Sequence, residues 1–356
     1  MQKKYEKIIN WIQDEIRGGK LLQGNKLPSE NCMMAQFQVS RQTVRRAMEV
    51  LEEKGIVDSR QGSGTYITVN TRRYTGREIR IAVMLTFVDT YIFPELIKGI
   101  ETVLSNEGCT LQIVVTNNAV EKERMILKDF LRTQSVDGVI AETVKSALPN
   151  PNLELYRELE KKGIPTLFVN SFYRELDIPH VSLDDKKAGY LATKHLIECG
   201  HIRIGGIFKA DDGQGHLRYA GYIQAMMEKD IRVHGENIIW IDSEQMHDMD
   251  EENLKFLKRM KDCTACVCYN DEIACKLIND LRKKGIKIPK NISVVGIDNS
   301  EMTEFCPVPL TSVQNPVEDL GKMAAESIVR YICHQEKPET VEFEPKLIVR
   351  NSVQII

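Results

Sequence analysis

The sequence predicts a small α+β head followed by a larger α/β body, the body consisting of two doubly wound parallel-sheet lobes. Three observations carry this. Apolar residues recur at helical spacing through the first fifty positions, then change to strand–helix alternation from Ile79 onward. Residues 70–78 show no periodicity and carry three arginines, which reads as a linker between units 1–69 and 79–356. The charge also divides: residues 1–75 hold 13 Lys/Arg against 8 Asp/Glu, a balance of +5, leaving 35 against 43, or −8, for the rest. A basic head on an acidic body suits a head that meets a polyanion.

At 356 residues the chain has room for two or three folding units of roughly 150 residues each. Its 42% hydrophobic and 28% charged content is that of an ordinary globular protein. No apolar run approaches the ~18–20 residues that span a bilayer. The first residues, Met1 to Glu6, lack the apolar stretch and cleavage site of a signal peptide. The expectation is a cytoplasmic protein whose nine scattered cysteines are reduced and sit in strand and helix interiors.

In the head, Tyr5, Ile8, Ile9, Ile12 and Ile16 mark a first helix ending near Gly18-Gly19. Ser29 can cap a short second helix with Cys32, Met33 and Phe37 inward. Ser40 can cap a third, burying Val44, Ala47, Met48 and Leu51 until Gly55 stops it. Val57–Arg60 and Thr65–Val69 then read as strands around the turn Gln61-Gly62-Ser63-Gly64. In the body, strand candidates are Ile79–Phe87, Leu111–Thr116, Gly138–Ala141, Pro165–Asn170, Ile204–Phe208, Ile238–Ile241, Ala265–Tyr269 and Ile292–Ile297, with amphipathic helices between them. Such alternation over more than 200 residues argues for parallel sheets covered on both faces, with a closed barrel as the alternative.

The third helix presents Arg41, Gln42, Thr43, Arg45 and Arg46 outward. Arg pairs bidentately with guanine and Gln with adenine, while Thr offers a hydroxyl or a methyl, so this face has the chemistry of a major-groove reader. A lone helix with such a face is more often simply solvated. The preceding short helix and the following Gly-rich hairpin, with Arg60 and Gln61 at its tip, turn the reading toward double-stranded DNA.

Leu27-Pro28-Ser29-Glu30, Phe37-Gln38-Val39-Ser40-Arg41-Gln42-Thr43-Val44-Arg45 and Gly62-Ser63-Gly64-Thr65-Tyr66 resemble the GntR-type winged helix-turn-helix. The resemblance implies DNA contacts from Arg41, Thr43, Arg45 and Gly62; Gln42 and Arg46 come from the helical-face argument. The body resembles the LacI/GalR regulators and their periplasmic-binding-protein-like relatives. The matching stretches are Val181–Asp185, Gly200-His201, Arg218–Tyr222, Tyr269–Ala274, Ser293–Asp298 and Leu310–Val313, across nearly all of 79–356. The pairing of head and body, with Asp89–Pro94 and Phe208–Asp212, is similar to a sugar-responsive class of Gram-positive repressors. It implies a monosaccharide effector, L-arabinose before others.

That resemblance implies ligand contacts from Asn170, Arg218, Asn270 and Asp298. Sugars offer hydroxyls that donate and accept together, which suits carboxylates, amides and a guanidinium. Aromatic rings cover the C–H face of a sugar, and Tyr91 and Phe93 are placed to do so; Glu142 and Lys145, after the third strand, are further candidates. For Asn270 and Asp298 the competing reading is a turn or helix cap, and for Arg218 a surface charge. LacI-type proteins carry a hinge helix ahead of the sugar domain, and 70–78 shows none, so a flexible tether is expected.

Other motifs carry less. Cys263-Thr-Ala-Cys266 has no second pair or nearby His pair and reads as buried thiols rather than zinc or redox chemistry. Gly213-Gln-Gly215 does not continue as a dinucleotide loop, and no nucleophile–base pair is marked. The expected protein is a homodimeric, sugar-released transcriptional repressor that is not an enzyme and carries neither cofactor nor metal. The alternatives are a regulator answering another sugar or a sugar phosphate, or a sugar-binding protein or enzyme with a DNA anchor.

Overall fold

A computed structural model describes residues 4–17, 20–22, 24–60, 62–68, 78–246, 258–334 and 336–356. Gln61 and nearly all of the expected linker lie outside these residues. The head consists of α1 (Lys4–Arg17), α2 (Glu30–Phe37), α3 (Arg41–Glu53) and the antiparallel hairpin β1 (Val57–Arg60) with β2 (Gly64–Ile67). Ile8, Ile12, Ile16, Met33, Val44, Leu51, Ile56 and Ile67 form its core. Ser29 Oγ accepts from Cys32 N at 3.3 Å and Ser40 Oγ from Thr43 N at 3.4 Å, so both caps start their helices as their chemistry dictates. Cys32 is exposed, against expectation. Met33 and Phe37, four apart, share the inward face, and Cys32 lies about 100° around the helix from Met33. Cys109 and Cys199 are also only half-buried, while Cys263, Cys266 and Cys268 sit in an apolar core.

The body is two open six-stranded sheets; neither closes into a barrel. The first runs β13 (Val341–Phe343), β7 (His180–Leu183), β6 (Thr166–Val169), β5 (Gly138–Ala141), β3 (Arg80–Leu85), β4 (Thr110–Val115), all parallel. The second runs β14 (Lys346–Ile348), β12 (Thr311–Gln314), β11 (Ser293–Asp298), β10 (Ala265–Cys268), β8 (Ile204–Lys209), β9 (Ile238–Ile241), parallel except for β14. β3 shows why its sequence is continuously apolar. Ile81, Val83 and Leu85 enter one core and Ala82 and Met84 the other, because alternate side chains of a doubly covered strand face opposite helical layers.

Helices α4 (Phe93–Asn106), α5 (Val120–Thr133) and α6 (Leu153–Lys161) cover the first sheet; α7 (Asp185–Glu198), α8 (Gly213–Glu228) and α9 (Asp271–Lys283) cover the second, near the short α10 (Met302–Phe305). α11 (Val317–His334) returns to the first lobe, where Leu320, Ala324 and Ile328 pack with Ile81 and Val83. The chain therefore crosses between lobes after β7, after β12 and after β13. The strands β7, β12, β13 and β14, absent from the sequence-based set, are three or four residues long. α7 and α8 approach so closely that a Cβ on Gly189 would lie 2.0 Å from Arg218 O and one on Gly221 1.9 Å from Lys186 O. That approach brings Arg218 onto Asp185.

Candidate effector cleft and DNA-binding face

Ligands of open α/β sheets collect at the carboxyl ends of strands. Here the segments after β3, β5, β6, β8, β10 and β11 converge between the lobes on a cleft of about 900 Å³ of empty space, counting its solvent-open part. Tyr91, Phe93, Glu142, Lys145, Asn170, Arg218, Asn270 and Asp298 all line it. Tyr91, Lys145, Asn170 and Asp298, with Asn118 beside them, have positive φ between 45° and 105°. Left-handed backbone in non-glycine residues is strained, and such residues concentrate at binding sites.

Arg218 is the anchor of the second lobe. It is 1% exposed, so the competing reading of a surface charge is excluded. Its Nε donates to Asp185 Oδ1 at 2.7 Å, Nη1 to Tyr269 O at 2.6 Å and Nη2 to Asp298 Oδ1 at 3.0 Å. The guanidinium also lies 4.9 Å from the centre of the Tyr269 ring. Burial pushes the Asp185 carboxyl up to about 6, although Arg218 pulls it down. Asp271, in the first turn of α9, accepts from Ser300 N at 2.7 Å and Ser312 Oγ at 2.5 Å. Its carboxyl is pushed up to about 8, by burial first and then by the nearby Asp298 charge. The site thus concentrates buried carboxylates around one guanidinium.

The facing wall is built on Glu142 and Asn170. Glu142 accepts from Thr86 N at 2.9 Å, from the Thr86 hydroxyl, and from Asn170 Nδ2 at 2.8 Å. Burial raises its carboxyl pKa against those three bonds. Gln214 spans the lobes, its Nε2 reaching Asp185 Oδ2 at 3.2 Å and Asn170 Oδ1 at 3.4 Å. Asn118 Nδ2 donates to Ser243 Oγ at 2.6 Å, and Lys145 Nζ lies 3.1 Å from Glu244 Oε1.

Three expected roles change in detail. Tyr91 meets the second lobe through its hydroxyl, which donates to Asp298 Oδ2 at 2.5 Å. Phe93 is 8% exposed and belongs to the first-lobe core, edge-on to Phe87, which also lines the cleft. Asn270 caps α9, its Oδ1 accepting from Ile273 N at 3.0 Å, while the residue still lines the cleft. Sequence reasoning missed Asp185, Tyr269 and Gln214 as members of the site. The first two lie in stretches already singled out for resemblance; Gln214 had no signal beyond its place after a strand.

In the head, Arg41, Gln42, Arg45 and Arg46 are exposed along α3 and Thr43 is half-buried. Glu30, on α2, holds two of them: Oε2 takes Arg41 Nε at 2.8 Å and Oε1 takes Arg45 Nε at 3.1 Å. Arg46 Nη1 pairs instead with Glu49 at 3.0 Å. Gly62 is exposed at the hairpin turn with φ 76°, a conformation suited to glycine. Arg60 packs 5.0 Å from the Tyr66 ring centre at the same tip.

Residues 4–67 match the family model of bacterial regulatory proteins of the gntR family, and residues 193–353 match that of a periplasmic binding protein-like domain. The chain is 39% identical to the arabinose metabolism transcriptional repressor of Halalkalibacterium halodurans, over 99% of this chain and 97% of that one. It is 35% identical to the repressor of the same name from Geobacillus stearothermophilus, over 99% and 96%. Among solved structures, a LacI family transcriptional regulator from Enterococcus faecium with bound ribose superposes with a TM-score of 0.66 at 26% identity, covering 78% of this chain and 99% of that one. With its gntR head, its binding-protein-like body and relatives that match it from end to end, the chain belongs to the family of these transcriptional repressors.

Proposed function

We propose that this protein represses transcription by holding operator DNA through α3 and the hairpin, and that a pentose, L-arabinose first, releases it by binding between the lobes. The observation that carries the effector half is the Arg218–Asp185–Asp298 cluster facing Glu142 and Asn170 across one cleft. It is a set of charged and amide groups with the donor and acceptor mix that vicinal hydroxyls require. The names of the two full-length relatives and the ribose in the Enterococcus faecium structure support a pentose.

Sugar closing the lobes changes the spacing of two heads in a homodimer, so that sugar and DNA weaken each other by linkage. The heads occupy half-sites about one helical turn apart, or a multiple, and their phosphate contacts make binding fall steeply with salt. The protein acts on DNA in the cytoplasm as a binding protein, not an enzyme. Gel shift on the DNA upstream of its own coding sequence, with and without L-arabinose, D-ribose, D-xylose and D-glucose, tests this. Release by L-arabinose, with the sugar recovered unchanged, is expected. Equal retention with every sugar overturns it.

A further inference from the structure

β8 ends in Lys209 and is followed by two adjacent carboxylates, Asp211 and Asp212, with opposite surroundings. Asp212 is saturated by the protein. Its Oδ1 accepts from Gln214 N at 3.0 Å and Ser146 Oγ at 3.3 Å, and its Oδ2 from Tyr269 OH at 2.7 Å, with Lys209 Nζ at 3.6 Å. Asp211 is 4% exposed and lines the cleft. Its Oδ2 accepts from Ser243 N at 3.2 Å, but its Oδ1 is buried and has no partner. Among the described residues it is the one buried carboxylate oxygen left so.

A buried acceptor without a donor costs free energy, and more when it is charged. The other buried cleft carboxylates do not share this state: Glu142 and Asp298 each receive bonds on both oxygens. The described residues supply no donor to this oxygen, and Asp211 lines the cleft, so a bound ligand is one source of it. Lys145 and Lys209 in the same cleft are already paired with Glu244 and Asp212, and the donor that fits the proposed ligand is a neutral hydroxyl.

We propose that Asp211 is a specificity-determining residue of the cleft, its Oδ1 accepting a hydrogen bond from one hydroxyl of the bound sugar. This rests on the sugar-binding reading above and adds a contact on the second lobe outside the hydrogen bonds of the Arg218 cluster. The site selects for a hydroxyl able to donate at one ring position, so it discriminates among pentoses by presence and orientation of that group rather than by size.

Calorimetry with L-arabinose and its monodeoxy and monofluoro-deoxy analogues, on wild type and Asp211→Ala, tests the assignment. Replacing Asp211 should weaken L-arabinose binding about 10- to 100-fold. One deoxy analogue that loses affinity for wild type should lose nothing further with the variant. The matching fluoro analogue, which accepts but cannot donate, should behave like that deoxy sugar. If Asp211→Ala does not fold, the same cycle is run with Asp211→Leu, which keeps the shape and removes the acceptor. Wild type binding no pentose overturns the sugar-binding reading and this contact with it. Wild type and variant binding alike, or losses that add at every ring position, overturn the role of Asp211 while leaving that reading standing.

Discussion

Arg218 Nη2 and Asp298 Oδ1 lie 3.0 Å apart, although 80 positions separate them and neither residue is more than 4% exposed. With Asp185 on the other arm of the guanidinium, one buried cation balances two buried anions at the wall of the effector cleft. Removing the cation leaves the anions uncompensated.

Arg218→Met should therefore cost about 3–5 kcal/mol of stability in urea unfolding. The loss should be smaller at pH 5 than at pH 8, because Asp185, already pushed up to about 6 by burial, can then take a proton instead of remaining charged. An equal loss at both pH values would show that the carboxylates remain neutral or solvated without their partner.

Asn270 separates two roles that one substitution can distinguish. Asn270→Ser retains an oxygen able to cap Ile273 N but removes the amide donor from the cleft without adding a buried charge. Sugar affinity should fall while Tm stays within about 2 °C of wild type, since a retained cap changes stability by only a few tenths of a kcal/mol. Unchanged affinity in calorimetry would reduce Asn270 to a cap.

In the head, Arg45→Ala should weaken operator binding by about 1–3 kcal/mol in a footprint titration. Glu30→Gln probes a different property. The exposed pairs that Glu30 makes with Arg41 and Arg45 contribute little stability, but they fix the direction of two guanidinium forks. Removing its charge should raise affinity for non-specific DNA and lower the ratio of operator to non-specific binding. A preserved ratio would make Glu30 incidental.

Stability should also report on Asp271. Its folded pKa, pushed up to about 8, lies above the ordinary carboxylate value near 4. The folded chain therefore holds this proton more tightly than the unfolded chain, and the contribution is lost as pH climbs from about 4 through 8. Between pH 6 and 9 the Tm of wild type should drop relative to that of Asp271→Asn. A constant difference across that range would place the Asp271 carboxyl among ordinary ones.

The order and type of the main elements can be read in the chain because they are local. Ser29 and Ser40 cap the helices they precede, Met48 and Leu51 fall on the buried face their spacing predicts, and β3, β5, β8 and β10 are apolar runs of the length a buried strand needs. The cleft residues Asn170, Asn270 and Asp298 came from the family resemblance, and all three stand at strand ends that line the cleft. The short strands β7, β12, β13 and β14 were not legible: three or four residues in a composition shared with loops carry no period, and they exist as strands because a neighbouring strand supplies their hydrogen bonds.

Local order, helical faces and strand ends follow from the linear text because each depends on residues a few positions apart, whose spacing sets which side turns inward. Partnership belongs to the folded body alone. That Tyr91 reaches Asp298 with its hydroxyl across 207 positions, that Arg218 is a buried anchor, and that Asp211 is left wanting a donor while Asp212 is satisfied, were all settled by three chain crossings and by two glycines that let α7 and α8 touch. Which charge meets which is a property of packing distance, and periodicity along a chain carries no record of it.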